Sequence, residues 1–309
     1  MLHIKKQEPL SRHTSFGIGG PADMFVEVAG PLEIAEGIEL ALREKVPYFV
    51  IGGGTNILFS DAGYRGLVIR ISDGGMSVHG SVIEAGAGIS LKRITETARD
   101  QGLAGMANLA GIPGSFGGAI RGNAGAFGTE IGSLVRSVKV FNKDTGMVRE
   151  LAAEVCSFAY RESLFKKQTE LIILSAEILL TPGDKNTIAN EMERIIALRE
   201  SKHTQSAKCA GSFFMNPVVK DEKLREEFTR DTGSPPKDEK LPAGWLIDHV
   251  GLRGKHVGGA KVSDQHPNYI VNMGGATAEE VVILASLIKR RVRDELRVQL
   301  REEVQMVGF

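Results

Sequence analysis

Residues 51–58 read IGGGTNIL, and residues 110–128 read AGIPGSFGGAIRGNAGAFG. Glycine lets backbone amides approach a phosphate closely and accepts positive φ, so each stretch predicts a loop whose N–H groups form a nest for an anion. Two such loops would suit a diphosphate. Polar side chains that could add hydrogen bonds stand among the glycines, namely Thr55, Asn56, Ser115 and Asn123.

The familiar nucleotide-binding motifs do not fit these loops. GxxxxGK followed by Ser or Thr is absent, and neither GGGTNI nor GIGGPA satisfies GxGxxG at the start of a helix. The sequence therefore argues against a P-loop protein and against a Rossmann-type dinucleotide-binding protein. The alternative that each loop is only a tight turn between strands is weakened, because both loops carry polar groups.

The segments around the first loop predict a βαβ-like beginning. Residues 31–45 carry a helix pattern with Pro31 in the first turn, and they lead into an apolar strand at 46–51. That strand runs directly into the glycines, and a second strand follows at 67–71. We place the first domain at residues 1–72.

Short alternating strands begin near Met76 and end with LIILSAEILL at 171–180, which indicates a second domain at residues 73–200. The last third, 201–309, has a loop-rich front at 233–245. Helices with recognisable N-caps are predicted at 91–100 after Ser90, at 188–200 after Thr187, and at 278–297 after Thr277, where Glu280 completes a capping box.

Composition narrows the class of protein. With 309 residues, 42% of them hydrophobic, the chain can form several compact domains. Lys plus Arg equals Asp plus Glu at 38 each, so no overall basic field favours nucleic acid or an anionic membrane. The first residues lack an apolar signal core, and two distant cysteines without a CxxC pair suit a reducing compartment. We expect a cytoplasmic protein with inert thiols.

Several stretches of this sequence resemble stretches of known flavoproteins. The paired loops resemble those that hold the FAD diphosphate in flavoproteins of the vanillyl-alcohol-oxidase type. TSFGIGGPA at 14–22, AYRES at 159–163 and AGSFFMNP at 210–217 are similar to strings in the UDP-N-acetylenolpyruvoylglucosamine reductases. The similarity continues through 243–272 and through VQLREEVQMVG at 298–308, in family order, over essentially the whole chain.

The resemblance implies an α+β fold: an FAD-binding domain of the vanillyl-alcohol-oxidase/PCMH type in two subdomains, followed by a C-terminal α+β substrate-binding domain. It also implies the reaction, which is NADPH-dependent reduction of UDP-N-acetylglucosamine enolpyruvate to UDP-N-acetylmuramate in peptidoglycan precursor synthesis, with FAD as carrier. The family's longer subtype has an extra tyrosine-bearing loop, for which residues 166–187 leave little space. The chain therefore resembles the shorter subtype.

The same resemblance assigns roles to individual residues. Arg161 would bind the substrate carboxylate as negative charge develops, Ser212 would protonate the enolate, and Glu303 would polarise the double bond or relay a proton. Tyr160, Lys202 and Asn216 would contact the sugar nucleotide. FAD contacts are implied at Gly52, Gly53, Gly54, Thr55, Asn56, Ala110, Gly111, Gly114, Ser115, Gly118 and Asn123.

Two positions depart from the family pattern. Glu302 stands where proline is frequent before the catalytic glutamate, which bears on the register at Glu303. Met215 stands where a basic or polar residue is frequent.

Other functions would account for part of the sequence. An oxidase on the same flavin fold would share both glycine-rich loops but would not need Ser212 or Glu303, and a flavin-binding or nucleotide-binding sensor would need no chemistry. A thiol nucleophile at Cys209 with His203 as base lacks a third residue that would orient it. The separations of His249, His256 and His266 fit no compact zinc motif, so no catalytic metal is expected.

Overall fold

The computed structural model describes residues 2–72, 74–202 and 207–309, with the backbone alone for Lys202. The chain forms two compact units. The first unit contains Met1–Glu8, Ala22–Gly54 and Arg65–Ser201, and the second contains Pro9–Pro21, Thr55–Tyr64 and Lys202–Phe309. The three-part division at 72 and 200 stays a prediction.

The secondary structure mixes short strands with helices throughout the chain. The strands are β1 (Lys5–Pro9), β2 (Pro21–Val28), β3 (Tyr48–Ile51), β4 (Ile57–Phe59), β5 (Tyr64–Ile71), β6 (Met76–His79), β7 (Val82–Gly86), β8 (Leu103–Ala104), β9 (Gly125–Ala126), β10 (Thr129–Glu130), β11 (Val135–Asn142), β12 (Met147–Ala152), β13 (Leu171–Leu179), β14 (Thr181–Pro182), β15 (Cys209–Ser212), β16 (His256–Val257), β17 (Ala260–Val262), β18 (Tyr269–Asn272) and β19 (Gln305–Val307). The helices are α1 (Pro31–Arg43), α2 (Leu91–Asp100), α3 (Phe116–Gly122), α4 (Leu164–Lys167), α5 (Lys185–Lys202), α6 (Glu222–Thr232), α7 (Ala243–His249) and α8 (Ala278–Leu296).

The first unit contains a four-stranded sheet in the order β1-β2-β5-β3, in which β3 and β5 run parallel. Helix α1 belongs to its core, because Ile34 and Ile38 are buried in one cluster with Val26, Leu67 and Ile69. The predicted helix and its two flanking strands are therefore confirmed, with ends shifted by a few residues.

A five-stranded sheet of the order β12-β11-β13-β7-β6 forms the rest of the first unit, and its pairings are antiparallel. Its apolar cluster includes Ile94 of α2 and Phe116 and Ile120 of α3. Helix α2 begins where it was predicted, because the Ser90 side chain accepts a hydrogen bond from the Arg93 N–H at 3.3 Å.

Two predictions in this unit were wrong. Helix α5 begins before Thr187: the Asp184 carboxylate accepts hydrogen bonds from the Thr187 N–H at 2.8 Å and hydroxyl at 2.9 Å. The hydrogen bond from the Thr187 N–H, and after it the bond from the Thr187 hydroxyl, lowers the pKa of the Asp184 carboxyl. The second glycine-rich stretch is more than a loop, because it contains α3. Glycine has a low helix propensity, so propensity alone does not predict this helix.

The second unit is built on an antiparallel sheet in the order β15-β18-β17-β16 and a parallel pair of β4 with β19. Helices α6, α7 and α8 contribute to its apolar cluster. Helix α8 carries the predicted capping box, with Thr277 and Glu280 bonding reciprocally. Helix α6 was not predicted; the Asp221 carboxylate caps it by accepting from the Leu224 N–H at 3.2 Å.

The N-terminus of α8 has a further cap from a distant segment. The Asp61 carboxylate accepts hydrogen bonds from the Ala278 N–H at 2.9 Å and the Glu279 N–H at 3.1 Å. These N–H groups have no partner within the helix, and a negative charge there also complements the helix dipole. No helix in the described residues is long and apolar enough to cross a membrane.

Removing this cap should destabilise the second unit. We expect Asp61→Ala to lower the free energy of unfolding by about 1–2 kcal/mol. Urea unfolding can be followed by the fluorescence of Trp245, the one tryptophan in the sequence, which packs against the apolar cluster of this unit. Asp221→Ala, which removes one cap bond from the shorter α6, should cost less. Equal stability of Asp61→Ala and wild type would contradict the capping role.

Candidate active site

The two glycine-rich stretches meet within the first unit. The Gly53 N–H donates a hydrogen bond to the Ser115 hydroxyl at 3.1 Å, and Ser115 is only 5% exposed. A Cβ on Gly53 would lie 2.9 Å from both Gly114 Cα and Ser115 N, and a Cβ on Gly52 would lie 2.2 Å from Ser115 Oγ. Glycine is therefore required at both positions, because Gly53 packs on the backbone of the second stretch and Gly52 packs on the Ser115 hydroxyl.

Ser115 links this contact to α3. Its hydroxyl also accepts a hydrogen bond from the Gly118 N–H at 3.4 Å, which makes Ser115 the N-cap of that helix. The glycines of the first stretch, which end at Gly54, thus lie beside the second stretch in the first unit, as a diphosphate cradle requires, and the residues fit FAD in this respect. Ala110, by contrast, is buried against Ile188 and Met192 of α5, so any contact from it would come from its backbone.

A methyl group at Gly53 should separate the loops and weaken FAD binding. We expect Gly53→Ala to bind FAD about tenfold to a hundredfold more weakly, because overpacking of this kind costs roughly 1–3 kcal/mol. Gly122→Ala is the matched control, since a Cβ there would meet nothing within 4 Å. Titration of the apoprotein by flavin fluorescence measures both. Equal affinity of the two variants would show that the loop contact does not shape the FAD site.

Asn123 ends α3 in the left-handed conformation, with φ of 43°. Its side chain is 1% exposed and hydrogen-bonds three ways: Nδ2 donates to the Glu130 carboxylate and to the Ala159 carbonyl, each at 2.8 Å, and Oδ1 accepts from the Gly132 N–H at 2.9 Å. Any FAD contact from Asn123 would therefore involve its backbone. Sequence reasoning missed Glu130, because no spacing rule connects it to Asn123.

Arg161 lies in a tight turn of the first unit, closed by reciprocal backbone hydrogen bonds between Ala159 and Glu162. Its φ is 57°, a conformation that non-glycine residues adopt at a cost and often at functional sites. Arg161 Nη2 donates to the Gly125 carbonyl at 3.1 Å, and the guanidinium carbon lies 5.1 Å from the centre of the Tyr160 ring. Two predicted site residues, Tyr160 and Arg161, thus form one contact pair.

Ser212 ends β15 in the second unit. Cys209 pairs with Val271 and Ser212 with Tyr269, and the register shifts between these pairs, so the strand bulges. The bulge includes Gly211 at φ of 76°, where a Cβ would meet nothing within 4 Å, so conformation rather than space favours glycine. Bulges commonly redirect the following side chain at functional sites, and here that side chain is Ser212.

The segment that carries Glu303 pairs with the residues after Ser212. The Glu303 N–H donates to the Phe213 carbonyl at 2.8 Å, and the Met215 N–H donates to the Arg301 carbonyl at 2.9 Å. Asn56, also in the second unit, joins them, because its Nδ2 donates to the Glu303 carbonyl at 3.0 Å. Three residues predicted for the site, Asn56, Ser212 and Glu303, are therefore brought to one region of the second unit.

The departure at Glu302 is explained by this ladder. Phe214 faces Glu302, and the flanking hydrogen bonds use the N–H groups of Glu303 and Met215, so the pairing does not need an N–H at position 302. Proline and glutamate both fit such a position. Here the Glu302 carboxylate accepts a hydrogen bond from Lys289 Nζ at 2.7 Å. Nothing in the structure explains Met215.

Asn216 and Lys202 are two further residues predicted to contact the sugar nucleotide. Asn216 Oδ1 accepts a hydrogen bond from the Ala243 N–H at 2.9 Å and so supports the start of α7. The side chain of Lys202 lies outside the described residues, as does His203.

The cysteines and histidines considered as alternative catalytic or metal-binding residues can be placed in the structure. Burial raises the pKa of the Cys209 thiol and, to about 11, that of the Cys156 thiol, so neither is an activated nucleophile. His249 lies in α7 against Trp245, His256 lies in β16, and His266 packs on Tyr269. Within residues 2–72, 74–202 and 207–309, no three His, Cys, Asp or Glu side chains are grouped to hold a metal.

The class of protein follows from the similarity of the chain to known protein families. Residues 22–152, which include both glycine-rich loops, match the family described as FAD binding domain. With an α+β fold in both units, the protein is an FAD-binding flavoprotein of the predicted fold class.

The rest of the chain identifies the family. Residues 202–307 match the C-terminal domain of UDP-N-acetylenolpyruvoylglucosamine reductase. The reductase of that name from Solibacter usitatus is 39% identical over 99% of this chain and 97% of its own length, and that from Syntrophus aciditrophicus is 37% identical over 97% and 91%. The crystal structure of the Thermus caldophilus enzyme has a TM-score of 0.80 at 30% identity and covers 100% of both chains. The chain belongs to the UDP-N-acetylenolpyruvoylglucosamine reductase family, FAD-dependent oxidoreductases of peptidoglycan precursor synthesis.

Proposed function

We propose that the protein reduces UDP-N-acetylglucosamine enolpyruvate to UDP-N-acetylmuramate with NADPH as the source of electrons. The observation that carries this proposal is the ladder that joins the segment of Ser212 to that of Glu303, together with the hydrogen bond from Asn56 to the Glu303 backbone. An oxidase that shared only the glycine-rich loops would not need this arrangement.

The two glycine-rich stretches would hold FAD, with Gly52–Gly54 and Gly114–Ser115 at their point of contact. When bound, FAD supplies hydride chemistry between NADPH and the enolpyruvyl double bond, through flavin N5.

Arg161 acts on the charge that this addition creates. Hydride addition to one vinyl carbon places negative charge on the neighbouring carbon and on its carboxylate. A guanidinium can bind a carboxylate through two parallel N–H donors, and it stabilises the charge most when its orientation is fixed beforehand. The bond to the Gly125 carbonyl and the contact with Tyr160 support such an orientation.

Ser212 donates the proton that completes the reduction. A hydroxyl is a weak acid in water, but an enolate carbon is a much stronger base than water, and exclusion of water favours the transfer. Glu303 either polarises the double bond before the hydride adds or helps to return a proton to the Ser212 oxygen afterwards. The half-buried positions of both residues support this role.

Tyr160, Lys202 and Asn216 would contact the sugar nucleotide. NADPH and this substrate would bind in turn, so NADP leaves before the sugar nucleotide enters. Initial-rate lines with the two substrates should therefore run parallel. Converging lines would contradict binding in turn.

An anaerobic absorption spectrum of the purified protein tests the proposed function. A flavin spectrum that bleaches with NADPH and returns on addition of the enolpyruvyl sugar nucleotide would establish both half-reactions. Recovery only with oxygen would indicate an oxidase, and an absence of flavin binding even with added FAD would refute the proposal.

A further inference from the structure

Three hydrogen bonds join the end of the second glycine-rich stretch to the turn that carries Arg161. The Ser163 hydroxyl donates to the Arg121 carbonyl at 2.7 Å, and Asn123 Nδ2 donates to the Ala159 carbonyl at 2.8 Å. Arg161 Nη2 donates to the Gly125 carbonyl, in the same direction as the Ser163 bond and opposite to that of Asn123. Alternate residues on each side make these bonds, so the two segments are connected along their length.

The bond from Asn123 is placed where it can fix the turn. The Ala159 carbonyl accepts from the Glu162 N–H at 2.9 Å as well as from Asn123, so both of its lone pairs are used. The turn holds only Tyr160 and Arg161 between these residues. Because Arg161 has positive φ, its conformation depends on the surrounding structure and not on local preference.

We propose that Asn123 is a positioning residue for Arg161. Its side chain anchors the Ala159–Glu162 turn, and through that turn it orients the guanidinium toward the substrate carboxylate. The inference rests on the proposed function, in which Arg161 binds that carboxylate. It assigns the Asn123 side chain to substrate alignment and leaves the holding of FAD to backbone groups.

Asn123→Gly removes the side chain while keeping a residue that accepts the left-handed conformation. FAD content and bleaching by NADPH should stay near wild type. The return of the flavin spectrum with the enolpyruvyl sugar nucleotide should slow about tenfold to a hundredfold, as expected for a misplaced binding group. If the glycine variant does not fold, the double variant Asn123→Asp with Glu130→Gln should show the same split, because it avoids two facing carboxylates at Glu130 but still loses the donor to the Ala159 carbonyl.

Asn142→Ala is the matched control. Asn142 is also buried, at 9% exposure, and its Oδ1 accepts hydrogen bonds from the Asp144 and Thr145 N–H groups in the turn between β11 and β12. The Asn142→Ala variant loses comparable bonds in the same unit, yet both of its half-reactions should proceed at wild-type rates. Equal slowing of the sugar half-reaction in both variants would reduce Asn123 to a general stabilising role and overturn the proposal.

A double-mutant cycle tests whether Asn123 acts through Arg161. In an Arg161→Ala background, Asn123→Gly should cause little further loss, because residues that act as a unit are not additive. Losses that multiply would overturn the proposal.

Amide hydrogen exchange gives a readout without turnover. Residues 159–162 should exchange faster in Asn123→Gly than in wild type or Asn142→Ala, and unchanged exchange would overturn the proposal. If wild-type flavin never recovers with the sugar nucleotide, the proposed function fails, and the exchange pattern still decides whether Asn123 holds the turn.

Discussion

The Ser212→Ala variant should still accept hydride from NADPH. The rate at which the enolpyruvyl sugar nucleotide restores its flavin spectrum should fall by about 10⁴-fold. This is the upper end of the usual effect of a general acid, which we expect because no neighbouring hydroxyl takes its place in AGSFFMNP. Ser212 follows the bulge at Gly211, so its side chain has a direction that a regular strand would not give it. Rapid-mixing absorbance of the flavin measures the two half-reactions separately.

The control for this variant is Ser286→Ala, on the exposed face of α8. It removes a hydroxyl from the same unit and should leave both half-reactions unchanged. A Ser212→Ala enzyme that reoxidised at the wild-type rate would remove Ser212 from the mechanism, while a variant without FAD would point to a structural role for the bulge.

Local signals in the sequence predicted local structure well. The capping box of α8 lies within four residues, and Ser90 caps α2 through a residue three positions away, so both could be recognised from spacing. Asp184 and Thr187 can each cap a helix, and the chain uses Asp184 because its carboxylate reaches the Thr187 N–H. Sequence spacing does not decide between two competent caps.

Non-local packing could not be predicted in the same way. Phe16 and Leu58 are buried in the apolar core of the second unit, far in sequence from most of its residues. The bonds from Asn56 to the Glu303 carbonyl and from Asn123 to the Ala159 carbonyl join positions 247 and 36 residues apart. No periodicity records such contacts. The resemblance selected the residue types for the site, whereas the partners that hold them required the structure.

Arg161→Lys should slow the sugar half-reaction by about 10²- to 10³-fold while bleaching by NADPH proceeds normally. Lysine keeps the positive charge but loses the planar fork that binds a carboxylate through two N–H groups. Lysine and arginine have similar backbone preferences, so the positive φ at this position affects both alike. Arg149→Lys, at an exposed position of β12, is the matched control and should change neither half-reaction.

The substrate can be varied together with the enzyme to locate the interaction. Esterification of the enolpyruvyl carboxylate removes the charge that Arg161 is proposed to bind, so the wild-type enzyme should discriminate strongly against the ester. Arg161→Ala should discriminate much less, because both the charge and the N–H donors are already absent from that variant. If both enzymes discriminated equally, the carboxylate would be bound elsewhere, and Arg161 would influence the reaction through the Tyr160 turn and not through the substrate.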